Sequence, residues 1–154
     1  MRKTLIRVSL VVVFCACAIA FFSNIVSAGI PDNAKALTAL DHEWSKAAGS
    51  GDVDKVVSFY ADDATAYAPN APAVTGHAAI KDAWAKMLAD PKAKLSWTTT
   101  NAGVDHNTGF TSGTYQVAGA DDAVLEKGKY LCVWSKGKDG KWKAMHDMWN
   151  TDSK

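Results

Sequence analysis

Arginine is almost missing from this chain of 154 residues: it occurs only as Arg2 and Arg7. Past residue 7, nothing offers the planar two-pronged cation that clamps phosphates and carboxylates. Cysteine is also scarce, with Cys15, Cys17 and Cys132 the only three. No charge of one sign dominates, and the formal net charge is +1. Removing Arg2, Lys3 and Arg7 from the 17 basic residues leaves 14 against 16 acidic ones. A chain so balanced lacks the basic surface that nucleic acid or an anionic membrane requires. There is no Gly-x-Ser-x-Gly elbow, phosphate loop, dinucleotide fingerprint or His-Glu-x-x-His pair. His42, His77, His106 and His146 lie far apart, without metal-ligand spacing. Neither a metal nor a cofactor is expected.

What is present begins with a leader. Met1–Arg7 is short and basic, Val8–Val26 is nearly unbroken apolar sequence, and Val26-Ser27-Ala28 places small residues at a cleavage site. These are the three regions of a secretory signal peptide, residues 1–28, cleaved after Ala28. The alternative reading of the same run is an uncleaved membrane anchor. Cleavage makes the protein periplasmic or secreted, with no membrane attachment afterwards. It also removes Cys15 and Cys17, so Cys132 has no partner for an internal disulfide. Taking 28 leader residues from 154 leaves 126 for one domain, residues 29–154. A domain of this size buries roughly 60–70% of its unfolded surface, enough for a core. Cys132, in the strand-like Tyr130–Trp134, reads as a small buried apolar residue.

The hydrophobic period is helical first and strand-like later. Asp32 or Asn33 can cap a helix to Ala48, with Leu37, Leu40, Trp44 and Ala48 on one face. Asp52 caps a short second helix carrying Val53, Val56, Val57 and Tyr60, which Asp62-Asp63 closes before a short strand Ala64–Tyr67. Gly76 opens a third helix with Ile80, Trp84, Met87 and Leu88, and Asp90-Pro91 stops it. Then Lys94–Asp105, Phe110–Ala118, Val124–Lys136 and Lys141–Asn150 read as long strands joined by glycine-bearing turns. Helices followed by consecutive strands predict an α+β fold with an antiparallel meander.

Several stretches together carry a resemblance. They are Asp41-His42-Glu43-Trp44, Gly51-Asp52, Phe59–Ala64, Pro69 to Gly76, Tyr130–Trp134, Asp139–Trp142 and Asp147–Asp152. In that order they resemble the nuclear transport factor 2-like superfamily in its SnoaL-like branch, closest to the exported domain of unknown function 4440 type. The resemblance implies a cone-shaped curved antiparallel sheet of about four to six strands wrapped around three N-terminal helices. It further implies a pocket inside the cone and often a homodimer.

The resemblance implies several chemistries, which the residues can be tested against. Ketosteroid isomerases of this fold share the phrase found here as Tyr60–Thr65, and their general base precedes the next proline. That proline is Pro69, and Ala68 precedes it, so this base is missing. Epoxide hydrolases of the fold need an arginine, which the cleaved chain lacks. SnoaL-type cyclases place an acid/base aspartate on the last strand, and Met145-His146-Asp147-Met148-Trp149 resembles that context with Asp147 at the aspartate position. Strand alternation puts Met145, Asp147 and Trp149 on one face, where an apolar setting would raise the Asp147 pKa. The alternative is a hydrogen-bonded structural aspartate.

The six tryptophans all lie beyond residue 28, and they suit a small apolar or aromatic ligand. Tyr67, Trp97, Tyr115 and Trp149 are the expected pocket residues. Two readings remain. One is a pocket enzyme of isomerase, cyclase or lyase type acting through Asp147. The other is a non-catalytic ligand-binding or dimerisation module.

Overall fold

The computed structural model describes residues 30–152. The expected leader lies outside them. A short turn of 3-10 helix, Asp32–Ala34, leads into helix α1, Lys35–Gly49. Ala34 holds the N-cap position, with no side-chain cap, and the Asn33 amide donates to Val104 O at 3.2 Å instead. The buried face of α1 carries Leu37, Asp41, Trp44, Ser45, Ala47 and Ala48. Helix α2, Val53–Val57, starts where Asp52 accepts from Lys55 N at 2.9 Å. Such a cap contributes about 1 kcal/mol. Helix α3, His77–Met87, buries Ile80 and Trp84 behind Gly76.

The strands are β1 Tyr60–Tyr67, β2 Val74–Thr75, β3 Lys94–Asp105, β4 Thr108–Ala118, β5 Val124–Lys136 and β6 Trp142–Thr151. They form one sheet in the order β2-β1-β6-β5-β4-β3. The meander β3 to β6 is antiparallel, as the turn signals predict. The β1–β6 pair is parallel and departs from an all-antiparallel sheet. Strand β1 also begins earlier than expected. The second helix ends at Val57, and Asp62 and Asp63 are exposed strand residues rather than a helix stop.

Register shifts interrupt the β1–β6, β3–β4, β4–β5 and β5–β6 ladders, and two of them shape the cone. The β3–β4 register shifts between Thr99 and Asn101, opposite Gly113. A Cβ at Gly113 would run into the Thr98 carbonyl, so β4 needs glycine where β3 folds over it. The β5–β6 register shifts between Val133 and Trp134, whose partners are His146 and Ala144. Met145 is therefore the extra residue, and the alternation of β6 resets there. Ala144 and Asp147, three residues apart, are both buried, while His146 and Met148 are exposed.

The concave face closes on α1. Trp44 is 2% exposed. Its ring lies 4.9 Å from Tyr60, 5.5 Å from Trp97, 5.5 Å from Trp134, 5.8 Å from Phe59 and 6.4 Å from Trp84. Edge-on and tilted aromatic packing of this kind fills the base of the cone and sets its depth. Cys132 is buried in this layer, opposite Asp147, and burial pushes its thiol well above its usual range. It is a neutral packing residue.

Candidate functional site

Above the Trp44 layer the cone holds a cavity of about 260 Å³. Each wall comes from a different element. Helix α1 supplies Asp41 and Trp44, α3 supplies Trp84 and Met87, and the loop after β1 supplies Ala68 and Pro69. The sheet adds Leu95 and Trp97, Tyr115 and Val117, Glu126 and Tyr130, and Asp147 and Trp149. Two-residue spacing on β3, β4 and β6 points both members of each pair inward. The volume falls just under the roughly 300–1,000 Å³ of drug-sized sites, which limits an occupant to a small molecule.

Asp147 lies against the floor and is 6% exposed. Its Oδ2 accepts from the Tyr60 hydroxyl at 2.6 Å, and that hydroxyl accepts from Trp84 Nε1 at 2.9 Å. The tryptophan N–H therefore fixes which way the phenol donates. Among the described residues nothing donates to Oδ1, and it is not sealed from the cavity. Burial pushes the Asp147 carboxyl from an ordinary 3.8 up to about 7; the Tyr60 hydrogen bond opposes this, and the negative charge of Asp41 adds to it. Burial, with Asp147 beside it, pushes the Tyr60 phenol well above its usual range. Tyr60 thus remains a donor at any ordinary pH, while the carboxyl exchanges its proton near neutrality.

A second buried carboxylate, Asp41, holds the opposite wall. It is fully buried. Oδ1 accepts from Trp97 Nε1 at 2.9 Å, and Oδ2 accepts from Thr99 Oγ1 at 2.8 Å and the Tyr130 hydroxyl at 2.6 Å. One turn along the helix, Ser45 Oγ accepts from Trp97 N at 2.9 Å and donates to Trp97 O at 3.2 Å. Together these contacts lock the Trp97 indole as a wall. At the mouth, the Tyr115 ring lies over Gly128, and its hydroxyl donates to Glu126 Oε1 at 2.6 Å.

Of the four residues expected in the pocket, Trp97, Tyr115 and Trp149 line the cavity, together with Asp147. Tyr67 does not, which corrects the expectation. Ala66 pairs with Asp147 and faces inward, so alternation turns Tyr67 outward beside Met148. Its hydroxyl lies 3.3 Å from His146 Nδ1 on the outer face. The apolar neighbour of Asp147 along β6 also differs: Ala144, not Met145, shares its inward face. Sequence reasoning missed Asp41, Tyr60 and Tyr130 as site residues. The signal for Asp41 was available: a carboxylate four residues after Leu37 and three before Trp44 sits in the middle of an apolar stripe. The Tyr60 and Tyr130 contacts depend on strand register, which the sequence does not reveal.

The family model described as SnoaL-like domain matches residues 42–145. The chain belongs to the SnoaL-like domain family. That span starts one residue after Asp41 and stops at Met145 within β6, so it covers most of the helical floor and of the sheet and leaves Asp41, Asp147 and Trp149 just outside it. No curated protein matches the chain by sequence. Solved structures do match its fold. A nuclear transport factor 2-like protein with a cystatin-like fold from Novosphingobium aromaticivorans is 15% identical, with TM-score 0.67 over 77% of this chain and 81% of its own. A nuclear transport factor 2-like protein of unknown function from Pseudomonas putida is 16% identical, with TM-score 0.68 over 77% and 85%. A ketosteroid isomerase-like protein from Erwinia carotovora atroseptica is 15% identical, with TM-score 0.65 over 77% and 96%. At these identities the likeness establishes the α+β cone alone. In this SnoaL-like domain Ala68 lines the cavity, so the position before Pro69 offers a methyl group and no base.

Proposed function

We propose that this SnoaL-like domain binds a small organic molecule in its cone and moves a proton on it through Asp147. The reaction would be of isomerase, cyclase or lyase type. The observation that carries the reading is a buried carboxyl with one oxygen fixed by Tyr60 and the other facing the cavity, and that burial pushes its pKa up to about 7. Near neutral pH such a group is half protonated and serves as base and then as acid. A general probe of carboxylate base strength tests this. Removing the ring C–H proton of a nitrobenzisoxazole breaks its N–O bond and releases a coloured phenolate. The wild type is expected to turn it over roughly 100-fold faster than Asp147→Asn. Its rate should rise with pH through a midpoint of about 7. Equal rates in the two proteins would remove the catalytic role. The second reading, a non-catalytic binding module, would then hold, as the alanine at position 68 favours.

The finer assignment to the exported 4440 type belongs to this proposal, as do export and pairing. The basic start, apolar run and Val26-Ser27-Ala28 support cleavage after Ala28. On the outer sheet face, Phe110, Leu131 and Met148 are 37%, 45% and 46% exposed. Leu131 pairs directly with Met148, and Phe110 with the neighbouring Val133. A contiguous apolar face of this kind supports a homodimer packed through the sheet. Protein processed in its native envelope is expected to start at Gly29 and to scatter light as a dimer. A chain retaining residues 1–28, or a monomer mass at micromolar concentration, would overturn the corresponding half.

A further inference from the structure

We propose that the occupant of the cavity is a small organic cation, an ammonium on an aromatic or apolar body, seated with its charge at Asp147. This deepens the reading above, because it places the ligand against the same carboxylate, but it does not require that carboxylate to be a catalyst.

Three kinds of observation support it. The first is charge. The lining contains the carboxylates Asp41, Glu126 and Asp147 and no Lys, Arg or His. The charged groups of this lining would all repel an anionic ligand. The second is unused bonding capacity. Asp41 spends both oxygens on three protein donors, and Glu126 accepts from Tyr115. Glu126 does so through one oxygen and is only half-buried, whereas Asp147, 6% exposed, is the deeply buried carboxyl that keeps an oxygen taking no hydrogen bond from the described residues. A buried acceptor facing a cavity calls for a donor from the ligand. The third is the walls. Trp44, Trp84, Trp97, Trp149 and Tyr130 all line the cavity, and the quadrupole of an aromatic ring attracts a desolvated cation over its face.

The same surroundings make binding depend on pH. Asp147 is faced by Asp41 from α1, Tyr60 from β1, Trp84 from α3, and Tyr130 and Cys132 from β5. None of these is basic. Tyr60, Tyr130 and Cys132 are held neutral by burial. Asp41 is engaged by three protein donors, and Glu126, also from β5, is half-buried and bonded to Tyr115, so the ionisation of Asp147 decides whether a cation finds an unengaged counter-charge at the floor. It does so above about pH 7, and below that the carboxyl is protonated. A bound ammonium favours the ionised form, so binding near neutrality releases a proton.

Three probes with one aromatic body separate charge from shape: phenethylamine, phenylethanol and phenylacetate. Titrations would be read by tryptophan fluorescence and calorimetry. At about pH 8 the amine is expected to bind on the order of 10-fold more tightly than the alcohol, with the carboxylate weakest. At about pH 5 the preference for amine over alcohol should shrink to roughly 2-fold or less as Asp147 takes up its proton. In Asp147→Asn, checked for fold by circular dichroism, the amine should fall to the affinity of the alcohol at both pH values. Alcohol or carboxylate binding as tightly as amine at the higher pH would overturn the inference. So would a preference that survives in Asp147→Asn, or no binding of any probe. The two proposals fail separately. Nitrobenzisoxazole turnover without amine preference defeats only the cation, and amine preference without turnover defeats only the catalyst.

Discussion

Asp147→Asn is expected to stabilise the protein at alkaline pH and to leave it unchanged at acid pH. The ordinary value of 3.8 applies in the unfolded chain, against about 7 in the fold. Below the unfolded value both states hold the proton, and the neutral carboxyl contributes its full stability. Between the two values the unfolded chain releases the proton while the folded chain keeps it, so stability falls as pH rises. Above about 7 the loss is complete. A difference of about three pKa units corresponds to about 4 kcal/mol. Asparagine has nearly the same shape, accepts from Tyr60 through its amide oxygen and never ionises. Urea unfolding across the pH range should therefore show the two proteins converging near pH 4 and separating by about 4 kcal/mol near pH 8, with the variant more stable. A constant difference at all pH values would mean that the carboxylate is not desolvated in the fold. Loss of turnover together with a gain in stability is the pattern of a residue held in an unfavourable state for function.

Asp41→Ala is expected to have the opposite sign and a similar size. Three donors converge on this carboxylate, from Trp97, Thr99 and Tyr130. Removing it leaves the indole N–H without an acceptor and takes the buried anchor from two hydroxyls, at a cost of about 4 kcal/mol. Asp41→Asn retains one acceptor oxygen and should lose about half as much. Thermal or urea unfolding reads both. The Asn variant also reports on coupling. The charge of Asp41 helps raise the Asp147 carboxyl, so neutralising it should bring that titration below about 7. An Asp147 titration unmoved in Asp41→Asn, or an alanine variant as stable as wild type, would contradict the two-carboxylate account of the cavity.

The parts of this molecule written in local sequence were legible, and those set by register were not. Helix α1 was legible because Leu37, Trp44 and Ala48 repeat at helical spacing, and the long strands because turns at Gly119 and Gly140 separate them; Gly109, expected in a turn, lies inside β4, and His106-Asn107 make that turn. The inward placement of Trp97, Tyr115 and Trp149 needed a parity that no single strand declares. Tyr67 shows the consequence: the parallel pairing of β1 with β6 sets its side, and nothing local announces that pairing. The Met145 bulge is the same lesson on β6. Strict alternation groups Met145 with Asp147, whereas one unpaired residue puts Ala144 there instead. Asp147 itself could be reached from its resemblance to the family aspartate. Its partner Tyr60 could not, because 87 residues separate them and only the β1–β6 pairing brings them to 2.6 Å.

The central claim is that Asp147 is a buried acid poised near neutrality and open to the cavity. Carbon NMR of the aspartate carboxyl groups, with the Asp147 resonance assigned by its absence in Asp147→Asn, measures this directly. The account predicts a titration midpoint near 7. A midpoint near the model-peptide value of ~3.9 would contradict it.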